Sequence, residues 1–113
     1  METRIDAIKA APEVYRAMLA LESVVNSSGL EGHLLDLVRL RASQINGCAY
    51  CIDMHSQDLR AEGETEQRLF LLDAWREAPF YSERERVALA WTEQLTLLPM
   101  DRAPQTSYGR MRC

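Results

Sequence analysis

The chain has no apolar run near the ~20 residues of a membrane span, so no membrane partner is expected. It begins Met1-Glu-Thr-Arg-Ile-Asp, mixed in charge and without an apolar core. The expectation is therefore no secretory signal and a cytoplasmic, reducing compartment. Positive charge is also short: the net charge is −4 and the pI about 5.2, which argues against nucleic acid as a partner. Lysine is nearly missing, Lys9 being the one among thirteen basic residues, an imbalance to which no function attaches. No stretch alternates with period two over a useful length, which excludes a called strand. Internal repeats and low-complexity segments are absent too. Cysteine is sparse, with three in the chain. The last, Cys113, reads as a frayed terminal thiol. The other two stand close together, and in a reducing compartment such a pair is catalytic, redox-sensing or metal-binding before it is a structural staple.

What is present is helical patterning. Apolar residues make up 47% and charged residues 27% of 113 positions, enough for one packed domain, expected over 1–98. Pro12 suits a first helical turn, and Val14, Tyr15, Met18, Leu21 and Val25 follow at helical spacing until Ser27-Ser28-Gly29. A second helix over 31–46 carries Leu34, Leu35, Val38, Ala42 and Ile45, widened by Leu37 and Leu40. A third runs from about Cys48 to Ala61, closed by Glu62-Gly63. Thr65 can cap a fourth, with Leu69, Phe70, Leu72 and Trp75, ending before Pro79. Ser82-Glu83-Arg84-Glu85 fits a capping box and opens a fifth, with Val87, Ala88, Trp91, Leu95 and Leu98 on one side. Residues 1–11 lack a clear pattern, and 99–113 read as an irregular tail. The fold class is all-α, a small bundle of about five helices. Stripes this broad exceed what one short subunit can cover, so an obligate-looking homo-oligomer is expected.

The chemistry gathers in Asn46-Gly47-Cys48-Ala49-Tyr50-Cys51-Ile52-Asp53-Met54-His55. On a helix Cys48, Cys51 and His55 share one face, at i, i+3 and i+7. Leu59 continues that stripe, while Asp53 and Asp58 read as off it. Asn46-Gly47 is a helix stop that starts a new helix at the cysteines. There the free N–H groups and the dipole lower a thiol pKa from about 8.5 into roughly the 3.5–7.5 range. Were both cysteines helical, their Cβ atoms would lie ~5–6 Å apart against the ~3.5–4.5 Å of a disulfide. The bond would then be strained and readily reduced. Zinc is the rival: Cys-x2-Cys-x3-His supplies three ligands and lacks a second knuckle, with His33 or Asp36 as the remaining candidates. The bland reading is two small buried hydrophobes and a satisfied core histidine. The redox reading needs a proton carrier, and His55 one turn after Cys51 serves, oriented by a carboxylate for which Asp36 on the preceding helix is the candidate.

Residues Leu34 to His55, Leu-Leu-Asp-Leu-Val-Arg-Leu-Arg-Ala-Ser-Gln-Ile-Asn-Gly-Cys-Ala-Tyr-Cys-Ile-Asp-Met-His, resemble the core of the alkylhydroperoxidase D-like proteins in the carboxymuconolactone decarboxylase superfamily. The likeness extends through Gly63-Glu-Thr-Glu-Gln-Arg-Leu69, Trp75-Arg-Glu-Ala-Pro-Phe-Tyr81 and Glu83 to Glu93. The resemblance implies an all-helical oligomer, trimeric or hexameric. It also implies a thiol-dependent peroxidase with no bound cofactor or metal, recharged by an external dithiol such as a lipoyl group. Carried over by position, Cys51 resembles the peroxidatic cysteine, Cys48 the resolving one and His55 the proton-relay histidine. Asp36 falls where the family has a glutamate, one methylene longer. Tyr50 stands where the best-characterised peroxidases carry a second histidine, and Pro99 to Cys113 does not match the family's further helix. A disulfide reductase and a non-enzymatic thiol redox sensor are the alternatives.

Overall fold

The computed structural model describes residues 4–98; the expectations for the tail 99–113 and the Cys113 thiol lie outside them. The described chain is all-helical, with α1 at Ala7–Ala10, α2 at Pro12–Asn26, α3 at Gly32–Asn46, α4 at Ala49–Ala61, α5 at Glu66–Phe70 and α6 at Glu83–Thr96. A 3₁₀ turn, Leu72–Ala74, follows α5. The chain divides after Gly32 into two compact units.

In the first unit α1 is a single turn where the sequence offered no pattern. Asp6 caps it by accepting from the Lys9 N–H at 3.2 Å. Pro12 opens α2 as expected, since its missing N–H would have no helical partner there. The apolar stripe of α2 forms, but no residue of the helix is buried, and Val14, Met18 and Leu21 are 64%, 61% and 57% exposed.

The second unit holds the core. Leu37, Leu40, Leu59, Leu72 and Leu89 are fully buried, and Leu69, Trp75, Ala78 and Tyr81 close around them. On α3 the deepest residues are thus Leu37 and Leu40, the pair that had seemed only to widen the stripe. Beyond α5 the expected fourth helix does not continue. It tightens into the 3₁₀ turn, which seats Leu72 and Trp75 in the core.

The Ser82–Glu85 capping box is formed in both directions. However, the buried face of α6 carries Leu89 and Glu93, not the expected row: Val87, Ala88 and Trp91 are half-buried, and Leu95 and Leu98 are exposed. The reason is polar. Glu93 accepts from Arg41 Nε at 3.0 Å, from Trp75 Nε1 at 2.8 Å and from the Arg76 guanidinium. Burial alone would push its carboxyl up. The hydrogen bonds from Arg76, Trp75 and Arg41 outweigh that and hold it below the ordinary carboxylate range. The Arg68 guanidinium likewise joins Glu64, Glu85 and the Phe80 carbonyl, lying over the Tyr81 ring. Burial again opposes ionisation of Glu85, and Arg68 and Ser82 reverse it, so that its pKa is also lowered. The first cluster ties Trp75, Arg76 and α6 to α3, and the second ties α5 and the segment 80–81 to the start of α6.

Candidate active site

The end of α3 sets the position of the cysteines. Gly47 has φ +68°, a left-handed conformation that side chains resist. Its N–H reaches the Gln44 carbonyl at 3.2 Å, and the Cys48 N–H reaches that of Ser43 at 3.1 Å. This is the Schellman closure. The chain leaves it extended, so Cys48, at φ −87° and ψ 99°, caps α4 from outside instead of joining its first turn. That departure from the helical expectation lets the pair close. Cys48 and Cys51 form a disulfide with Cα atoms 5.3 Å apart, inside the ordinary range. The helical Cys48 from which strain was expected is not observed, and the redox reading rests on the groups around the pair.

Those groups differ for the two sulfurs, both of them half-buried. Cys48 Sγ accepts the Cys51 N–H at 3.2 Å, so the helix end favours negative charge on Cys48. His55 stands one turn beyond Cys51. Its Nδ1 faces Asp36 Oδ1 at 3.9 Å, with the two side chains 15% and 14% exposed, too far for a direct hydrogen bond. His55 Nδ1 is buried without a hydrogen-bond partner among the described residues. The Arg39 guanidinium lies 3.5 Å from the same Asp36 oxygen. Of the four residues expected at the site, Cys48 and Cys51 are joined and His55 and Asp36 face each other one helical turn further along α4.

His33 is not among them. It pairs with Glu62 and Glu64, which leaves the zinc alternative without its histidine from the preceding helix. One group was missed: Asp58, read as off the stripe, has a carboxylate that groups with Asp36 and His55. One ligand atom from each lies within 4.8 Å of the others, a spacing that could also hold a small cation. The signal was available, because Cys51, His55 and Asp58 run i, i+4, i+7 along α4. Beside the pair, Tyr50 is 77% exposed and Met54 is also exposed.

The family model for the carboxymuconolactone decarboxylase family matches residues 12–94. An uncharacterised protein of Bacillus subtilis, YdfG, is 43% identical over 112 residues, covering 99% of this chain and 76% of that protein. An uncharacterised protein of Escherichia coli, YnjA, is 29% identical over 72 residues, covering 64% of this chain and 40% of its own length. A crystal structure from Agrobacterium tumefaciens superposes with a TM-score of 0.88 at 45% identity, covering 98% of this chain and 76% of its own. That protein, of unknown function, has been suggested to be the antioxidant defence protein AhpD.

Proposed function

The chain belongs to the carboxymuconolactone decarboxylase family, and we propose that within it this protein is a thiol-dependent peroxidase. The observation that carries the reading is the Cys48–Cys51 disulfide at the start of α4, with His55 one turn on and facing Asp36. The structural relative suggested to serve antioxidant defence points the same way.

In this reading the Cys51 thiolate attacks the distal oxygen of an alkyl hydroperoxide. The O–O bond breaks, sulfur gives two electrons, and the alkoxide leaves and takes a proton from His55. Cys51 is now a sulfenic acid. Cys48 attacks it as a thiolate, the S–S bond forms, and the hydroxyl leaves as water with a proton from solvent. An external dithiol, of which a lipoyl group is one, then reduces the disulfide and is itself oxidised. Exposed Tyr50 and Met54 offer the carbon chain of such a dithiol a surface beside the sulfurs. His55 moves protons and Asp36 orients it.

The assembly is a homo-oligomer, a trimer or hexamer, in which a second copy covers the bare stripe of α2 and the outer row of α6. No helix among the described residues is long and apolar enough to cross a membrane, and the thiol cycle suits a reducing cytoplasm. One observation favours a second reading, a disulfide reductase: the helix end holds its charge at Cys48, which makes that sulfur a good leaving group.

The test is consumption of an organic hydroperoxide by purified protein with a dithiol, beside Cys51→Ser. Multiple turnovers that vanish in the variant are expected. Absence of turnover in a folded wild type, together with rapid reduction of a disulfide substrate, would replace the peroxidase with the reductase.

A further inference from the structure

Burying a ring nitrogen without a partner is unfavourable, and His55 Nδ1 is buried with none among the described residues. Asp36 Oδ1 faces it from 3.9 Å. An Asp58 carboxylate oxygen lies within 4.8 Å of a His55 ring nitrogen and of an Asp36 oxygen. These spacings are long for direct hydrogen bonds and suit one bridging water, which needs about 2–4 polar partners. The two carboxylates are not equivalent. Asp36 is enclosed and faces Arg39, whereas Asp58 is exposed. Along α4 the order Cys51, His55, Asp58 runs on one face from the sulfur, through the enclosed imidazole, to solvent.

We propose that Asp58 is a proton-relay residue: with Asp36 it holds a water on His55 Nδ1 and passes the imidazole's protons to and from solvent. This rests on the peroxidase reading. There the Cys51 proton has already left to solvent when the thiolate attacks, so the alkoxide draws its proton from His55. The imidazole must then be refilled. Asp36, 14% exposed and beside the Arg39 guanidinium, is the less open of the two carboxylates, and Asp58 is the exposed one.

The test uses the full chain with Asp58→Asn and Asp58→Glu. With an organic hydroperoxide and a dithiol, Asp58→Asn lowers kcat about tenfold with KM for peroxide unchanged, and Asp58→Glu restores it. Millimolar formate, a small diffusible carboxylate, recovers much of the rate of Asp58→Asn; a packing role would not respond to it. Wild-type kcat in Asp58→Asn, or a loss that formate leaves untouched, overturns the proposal. If the wild type consumes no peroxide, the peroxidase reading fails separately. The same variants then report through reduction of the Cys48–Cys51 disulfide by dithiothreitol, where the expelled sulfur takes its proton from the same relay. Slowed reduction rescued by formate keeps Asp58 in the role, and equal rates remove it.

Discussion

Two of the polar clusters in the second unit follow opposite rules. Around Glu93 each carboxylate oxygen is engaged, by Arg41 and Trp75 on one side and Arg76 on the other. Around His55 the distances stop short: the carboxylates are near, yet Nδ1 has no partner among the described residues. A saturated cluster has one arrangement and resists change, which suits holding helices together. An under-satisfied one keeps capacity for a proton or a water, which suits chemistry at some cost in stability. The contrast teaches where to look for function in this fold: at the polar group left incomplete, not at the one with most contacts.

The strongest way to break the contrast is to remove its structural half. Glu93→Ala leaves the buried Trp75 indole N–H without its acceptor and takes one ion pair each from Arg41 and Arg76; it is expected to cost about 2 kcal/mol, read as a lower urea midpoint. Alkylation kinetics of the reduced cysteines in the folded fraction should stay as they were. Next is the chemical half. His55→Gln should lower peroxide turnover about a hundredfold while moving the urea midpoint little, since its Nδ1 has no hydrogen-bond partner among the described residues. A large stability loss with modest kinetic change would reverse the two roles.

Acid sharpens the comparison further. Glu93 and Glu85 are held below the ordinary carboxylate range when folded. The stability they contribute is complete above the unfolded value of about 4.3 and is lost as pH falls through their lowered folded values. Urea midpoints taken from about pH 6 to about pH 3 should therefore drop, and Glu93→Gln should flatten part of that drop. The smallest effect is expected from Gly47→Ala. A Cβ there meets nothing within 4 Å, so the cost is that of the left-handed backbone alone, about 1 kcal/mol by thermal melting. A loss several times larger would show that Gly47 also places Cys48.

Much of the helical framework was legible because its signals are local. Pro12, Thr65, the Ser82–Glu85 box, Gly47 and Gly63 each act on backbone within a few residues, and each begins or ends a helix where the sequence pattern put it. The short α1 was missed because one Asp cap is a weak signal without an apolar stripe behind it. The buried face of α6 was misplaced for a nonlocal reason. Glu93 reads as a surface charge until Arg41, 52 residues away, is brought beside it. At the site, Cys48, Cys51 and His55 were visible as a pattern, and Asp36 needed α3 packed against α4. Asp58 was set aside on its angle alone, although a side chain reaches across a helical turn.

Cys48 is both a reactant and the cap of α4. Each change in its oxidation state therefore changes what the first turn of the helix is tied to. In the disulfide a neutral sulfur accepts the Cys51 N–H; in the reduced pair a charged thiolate would accept it more strongly. The electron count of the site is thus written into how often one backbone amide opens to water. Deuterium uptake at Cys51 would give a reading of the redox state that requires no substrate.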